Sequence, residues 1–200
     1  MNRTNRITRI AALALALAPA LASALASAQV ATWNVDGSHS RAGFSVKHLV
    51  ISDVKGEFGK LSGKAQVDEA DLSKSSVEVT IEAGSINTRD EKRDNHLRTA
   101  DFFDAAKFPT LTFKSTKVVA GKDGAITVTG DLTMRGVTKP VILEGAITNA
   151  ITDPQGNSRR GVSVAGKLNR KDFGVSYGPA AIVGDEVKLD IQAELVLPKK

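Results

Sequence analysis

The chain has 200 residues, with 27 basic and 22 acidic side chains and no cysteine. The lack of cysteine excludes disulfides and a cysteine-linked lipid anchor. Three basic residues and no acidic ones lie in the first 28 residues, which leaves 24 basic against 22 acidic side chains in the rest. The formal net charge of +5 therefore does not indicate a nucleic-acid partner.

The first 28 residues have the pattern of an export signal. Three arginines precede a run of mainly Ala and Leu at 10–25, and the small residues at 26–28 suit a signal peptidase. The run is too short and too rich in alanine for a membrane anchor, which needs roughly 20 strongly apolar residues. We predict cleavage after about Ala28, export from the cytoplasm and a mature domain at 29–200 without a transmembrane segment.

Apolar and polar residues alternate along most of the mature chain, which predicts short strands with one buried face. In the second predicted strand Ala42, Phe44, Val46 and His48 share one face, so His48 is expected on the apolar side. A turn is expected at 36–38, just before it. The same alternation occurs at 33–35, 54–58, 63–67, 77–83, 111–113, 126–134, 141–147, 162–168 and 187–197, and further apolar residues follow at 118–119.

The number and spacing of these segments predict an all-β fold. About eight to ten short strands at hairpin spacing are typical of an antiparallel sandwich or a closed barrel. Long helical crossovers are missing from the pattern, which excludes a parallel α/β sheet. A barrel is favoured because closure removes the exposed edges that so many strands would otherwise present.

One charged segment interrupts the alternation and predicts a short helix near residues 89–104. Thr88 and Glu91 have the spacing at which two side chains cap each other's backbone amides at a helix start. Apolar residues within and after this segment are expected to form a hydrophobic plug that rests on the barrel or closes it. These plug residues are Leu97, Phe102, Phe103 and Phe108.

Seven motifs cover nearly the whole mature chain in a fixed order. They are Trp33 to Ser40, Phe44 to Leu49, Val54 to Gly59, Arg93 to Asp104, Phe108 to Phe113, Leu132 to Thr138 and Asn169 to Gly174. In this order they resemble the YceI-like family, with Trp33 and Gly37 where that family usually has Tyr and Pro. The resemblance implies an extended lipocalin-like antiparallel barrel, a periplasmic location and binding of a long isoprenoid or other amphipathic lipid inside the barrel.

An eight-stranded barrel either fills its interior with side chains or leaves room for one ligand. Small inward residues would leave a tunnel, but glycines also let strands bend, so the alternation alone leaves both readings open. With the resemblance, strand parity gives candidate contacts for an apolar tail: Phe44, Val46, Phe58, Ile81, Phe113, Leu132, Met134, Leu168, Leu189 and Ile191. Candidates for the polar end, where a phosphate or quinone oxygen needs donors, are His48, Arg93, Asn95, His96 and Arg98.

The sequence supports a catalytic function less well than it supports ligand binding. His39, His48 and His96 have no recognised metal-ligand spacing, and a triad of His39 with Ser38 or Ser40 and an aspartate has no nucleophile elbow. We therefore predict a binding protein with no cofactor beyond a bound isoprenoid lipid or quinone. A metal-dependent enzyme, a structural stress protein with a filled barrel, and a homodimer stay open.

Charged residues near the motifs are explained by structural ion pairs. Arg93 with Asp94, and Arg170 with Asp172, are expected to form ion pairs that hold the helix and the loop after Leu168 in place.

Overall fold

The computed structural model describes residues 30–199, so the predicted export signal lies outside the described residues. These residues form eleven strands and one α-helix, with short 3₁₀ turns between them. The strands are β1 Val30–His48, β2 Ser52–Phe58, β3 Leu61–Asp68, β4 Ser76–Glu82, β5 Ile86–Asn87, β6 Thr110–Ala120, β7 Ala125–Met134, β8 Val137–Ile147, β9 Ile151–Thr152, β10 Ser158–Asn169 and β11 Val183–Leu197; the helix is α1 Glu91–Arg98.

Eight of the strands close into a barrel, as the sequence predicted. The ring runs β1, β3, β4, β6, β7, β8, β10 and β11, and β11 pairs back onto β1. Every pairing is antiparallel. Closure satisfies the backbone groups that open edges would expose.

Strand β1 is long enough to pair with two different strands along one edge. Residues 30–34 pair with β3, and residues 42–48 pair with β2. The turn predicted at 36–38 is wrong, because the chain continues as one strand with a register shift between Asp36 and Arg41. This irregularity changes the parity, so that odd-numbered Val35 and even-numbered Ala42 both face the interior.

The single helix lies where the sequence placed it, but a different residue caps it. The side chain of Asp90 accepts from the backbone N–H of Arg93 at 3.0 Å. Thr88, the predicted cap, instead donates its hydroxyl and its N–H to the buried carboxylate of Asp94, at 2.6 and 2.8 Å. Arg93 donates to the hydroxyl and the carbonyl of Thr88, so the expected pairing of Arg93 with Asp94 is replaced by a network centred on Thr88.

The helix and the turns after it cover one end of the barrel. We call this the helix end; β1, β7 and β10 finish there and β2, β8 and β11 begin there. Leu97, Phe102 and Phe103 pack on the core, and the Phe103 ring meets Phe58 edge-on at 5.3 Å. Phe108 departs from the predicted plug, because its ring lies over the β7–β8 turn beside Gly136.

Gly130 on β7 leaves room for the aromatic ring of Phe113 against the barrel wall. A Cβ added there would lie 2.6 Å from the carbonyl oxygen of Lys114 and would also meet the ring of Phe113. We expect Gly130→Ala to lower the free energy of unfolding by about 1–3 kcal/mol, because the backbone must move. Gly59→Ala is the control, since nothing lies within 4 Å of its added Cβ. Equal unfolding midpoints in urea for the two variants would contradict this packing.

Candidate ligand-binding site

The interior of the barrel is hollow. It encloses a cavity of about 290 Å³, close to the lower end of the ~300–1,000 Å³ usual for ligand sites. The lining comes from both ends of the barrel and is apolar except for four residues. These are Gln66, Ser75, Ser76 and Arg170.

All ten predicted tail contacts line this cavity: Phe44, Val46, Phe58, Ile81, Phe113, Leu132, Met134, Leu168, Leu189 and Ile191. Alternation placed them correctly because a strand in a closed barrel has only an inner and an outer face. Their contact with a ligand stays a prediction. Further lining residues on the same faces were missed although the same alternation marks them, among them Val128, Val141, Leu143 and Val164.

His48 does not reach the cavity. The register of β11 against β1 shifts between Val46 and His48, because β11 has two extra residues there, and His48 lies exposed at the end of β1. The prediction that it lies on the apolar face is therefore wrong.

The polar candidates on the helix also lie outside the cavity lining; they are Arg93, Asn95, His96 and Arg98. Each is engaged with neighbouring protein groups. Arg98 donates to the carbonyls of Gly84 and Ile86 and to the side-chain oxygen of Asn95, and His96 Nε2 lies 2.7 Å from Asp101. In this geometry these residues hold the helix against the barrel.

Arg170 is the only charged residue among those described as lining the cavity, and it is 4% exposed. Its guanidinium donates to five carbonyls and one carboxylate at 2.8 to 3.3 Å. The acceptors are the carbonyl oxygens of Val175, Tyr177, Gly178, Val183 and Gly184 and the carboxylate of Asp185. The expected partner Asp172 is thus replaced by Asp185, and Arg170 organises the whole connection into β11.

Three rings join this connection to the helix end. His96 meets Phe102 and Tyr177 edge-on, with both ring centroids 5.0 Å away, and Phe102 lies 5.2 Å from Tyr177. Because Phe102 also lines the cavity, these contacts form part of the cover at this end.

Three potential metal ligands lie close together outside the cavity, but an arginine side chain pairs with two of them. Oxygen or nitrogen atoms of Asp36, His39 and Glu194 lie within 4.8 Å of one another. Nη1 of Arg159 is 2.8 Å from Asp36 and 3.0 Å from Glu194, so a guanidinium already balances both carboxylates. These residues therefore suit an ion-pair network better than a cation site.

The three histidines do not converge. His39 and His48 are nine residues apart along one strand, on the order of 25 Å. His96 lies with Asp101 at the helix end, and no second group of three metal ligands occurs in residues 30–199. Ser38 and Asp36 do lie beside His39, but both contact Nδ1, whereas a catalytic serine must face the other ring nitrogen.

The Arg159 network predicts acid sensitivity. Hydrogen bonds from Ser38, Arg159 and His39 hold the pKa of Asp36 well below its usual range, and Arg159 foremost lowers the pKa of Asp153 to about 2. The stability that these carboxylates contribute is complete above their unfolded pKa of about 4 and is lost as the pH falls through the folded values. We expect the unfolding temperature to fall steeply from pH 4 to pH 2.

Arg159→Met should lower the unfolding temperature at neutral pH and flatten this acid dependence, as measured by thermal unfolding across pH 2–7. Lys60→Met, which removes an exposed pair with Glu82, is the control and should follow the unaltered chain. An acid profile for Arg159→Met parallel to that of the unaltered chain would contradict the assignment.

Comparison with known proteins identifies the barrel. The sequence model of the YceI-like domain matches residues 33–195, almost the whole described chain. The chain belongs to the YceI-like domain family. Protein YceI of Escherichia coli O157:H7 is 41% identical over 177 residues, which cover 86% of this chain and 90% of that protein.

Solved structures agree with this membership. The YCEI protein of Campylobacter jejuni superposes with a TM-score of 0.70 at 34% identity, over 76% of this chain and 90% of that one. A polyisoprenoid binding domain from Saccharophagus degradans, implicated in plant cell wall breakdown, gives a TM-score of 0.62 at 16% identity, over 85% and 100% of the two chains. The second likeness shows that the YceI-like fold is shared. In residues 30–199 of this chain, no helix is long and apolar enough to cross a membrane.

Proposed function

We propose that this YceI-like barrel binds one long-chain isoprenoid or related amphipathic lipid in its lumen, and serves in the periplasm as a carrier or reservoir. The observation that carries the proposal is the hollow interior, whose lining is almost entirely apolar. Membership of the YceI-like family supports it, as does the shared fold of the polyisoprenoid binding domain from Saccharophagus degradans.

The lumen is suited to hold a hydrocarbon chain. Each Å² of apolar surface moved from water to such a lining contributes about 25 cal/mol, so a chain that runs the length of the barrel gains affinity with length. Side chains from β1, β6, β7 and β11 surround this path. Those that we assign as tail contacts are Phe44, Phe113, Leu132, Met134 and Leu189.

The polar lining favours an uncharged end group on the ligand. Arg170 has its guanidinium donors directed to protein oxygens, and the remaining polar lining residues, Gln66, Ser75 and Ser76, are uncharged. They lie together, since Gln66 and Ser76 are register partners on β3 and β4. Gln66 and Ser76 are exposed, so a hydroxyl or quinone oxygen at this opening can bond to their side chains or to water, whereas the lining residues offer a phosphate no free cation.

Mass spectrometry of an organic extract of the purified chain tests the proposal. We expect about one equivalent of a long-chain lipid per folded barrel, with an uncharged polar end. An extract without lipid, or one that mirrors the phospholipids of the host membrane, would contradict it.

The separate positions of the three histidines favour a binding function over a catalytic one. His39 is held in the Arg159 network, His48 ends β1 in solvent, and His96 bonds Asp101. A metal-dependent enzyme would need them, or other ligands, to converge on one ion.

A further inference from the structure

The hairpin that joins β1 to β2 has three consecutive exposed apolar side chains. Leu49, Val50 and Ile51 are 49%, 70% and 84% exposed. Ile182, 45% exposed, lies beside them, because the N–H of Leu49 donates to its carbonyl at 3.0 Å. We call these four residues the apolar tip.

The backbone of the apolar tip is strained as well as exposed. Leu49 and Val50 have φ of 50° and 63°, and the N–H of Ile51 donates to the carbonyl of His48 at 3.2 Å, as in a type I′ turn. Asn and Gly are the usual residues at these two positions, and a β-branched valine there is a rare outlier. Neither stability nor solubility accounts for large apolar residues at this turn, which points to a role in recognition.

The apolar tip lies next to the lumen. Val46, three residues before Leu49, and Val183, which follows Ile182, both line the cavity. The tip therefore extends the apolar inner wall outwards at the helix end of the barrel. A lipid that left or entered at this end would pass beside it.

Charges near the apolar tip are paired with one another. The Lys, Arg, Asp and Glu residues within three positions of it are Lys47, Asp53 and Asp185. Lys47 pairs with Asp53 at 3.1 Å, and Asp185 pairs with Lys171 at 3.0 Å and with the buried Arg170 at 3.3 Å. A protruding apolar turn whose neighbouring charges are paired matches the boundary between headgroups and acyl chains of a bilayer. Four side chains are also far fewer than the roughly 20–30 residues a side of stable protein interfaces.

We propose that the apolar tip inserts into the surface of a lipid bilayer and docks the helix end of the barrel there, so that lipid passes between bilayer and lumen. The passage of lipid rests on the proposed function; insertion of the tip does not. Because hydrophobic contact supplies the attraction, docking is independent of ionic strength.

The test compares the unaltered chain with a variant that carries Leu49→Asn and Val50→Gly, which suits the same turn. Sedimentation with phosphatidylcholine vesicles measures docking, and the rate at which a fluorescent prenol moves from vesicles to protein measures transfer. We expect both to fall at least ~10-fold in the variant, which corresponds to about 1.4 kcal/mol of lost docking. The unfolding temperature should rise by ~2–4 °C as strain is relieved. Ile151→Ser on β9, which alters a side chain 67% exposed, is the matched control and should behave like the unaltered chain.

Separate results distinguish failure of docking from failure of the proposed function. Prenol supplied in detergent should bind the variant as tightly as the unaltered chain, since the lumen is intact; no binding to either would overturn lipid binding but not docking. Docking is overturned if the variant sediments and transfers like the unaltered chain. It is also overturned if only anionic vesicles bind and salt releases them, or if the tip instead joins two copies of the chain in ultracentrifugation.

Discussion

Leu132→Asp is expected to remove most of the lipid bound in the barrel. Leu132 lies on the inner face of β7, is 9% exposed and lines the cavity. A carboxylate there either keeps its charge in an apolar lumen or takes up a proton, and in both cases it leaves a polar group beside the hydrocarbon chain. We expect bound lipid per folded protein to fall at least ~10-fold, equivalent to about 1.4 kcal/mol or more of lost affinity. The loss of stability should be about 2–5 kcal/mol.

The matched control is Thr129→Asp on the outer face of the same strand. Thr129 is half-buried and lies opposite Lys117, which an added carboxylate can approach. Lipid content is measured by mass spectrometry of extracts from the folded fraction, with circular dichroism to confirm that strand content is kept. A folded Leu132→Asp variant with undiminished lipid would show that the ligand lies elsewhere.

Arg170→Met is expected to loosen the helix end and lower overall stability. It removes the six hydrogen bonds that Arg170 donates to five carbonyls and to the carboxylate of Asp185 in the connection into β11, and leaves Asp185 with Lys171 alone. Buried acceptors left without donors cost about 1–3 kcal/mol each where water cannot reach them, so a total of about 3–5 kcal/mol is expected. For a chain of this size, that lowers the unfolding temperature by roughly 10 °C.

Arg41→Met provides the comparison, because Arg41 forms an exposed pair with Asp190 at 3.0 Å. Its loss should cost less than about 1 kcal/mol. Hydrogen exchange should show faster opening of residues 174–184 in Arg170→Met only. Equal unfolding temperatures for the two variants would contradict the role given to Arg170.

The inner wall could be predicted because alternation is a local property of each strand. Phe113 and Leu132 are partners on β6 and β7, and both line the lumen. Each occupies an apolar position in an alternating run, and that position alone predicts an inward side chain. The closed antiparallel ring followed from the number of strands and the benefit of removing edges. The short helix followed from the interruption of that alternation.

The ends of the barrel could not be predicted in this way, because tertiary contacts decide them. His48 lies in solvent at the end of β1, where β11 shifts its register, and no local pattern marks where the inner wall of the barrel ends. The carboxylate of Asp94 draws Thr88 away from capping the helix, which leaves that role to Asp90. Arg170 meets carbonyls up to 14 residues later in the chain, and only folding of the connection brings them together.

Titration of the delipidated chain with prenols of increasing length tests most directly whether the lumen encloses a lipid tail. Affinity should increase with each added isoprene unit, because more apolar surface is buried, and should then level off once the lumen is full. In Leu132→Asp the increase should stop at a shorter chain. Affinity that does not depend on chain length, or that keeps rising without a plateau, would contradict enclosure of the tail within the barrel.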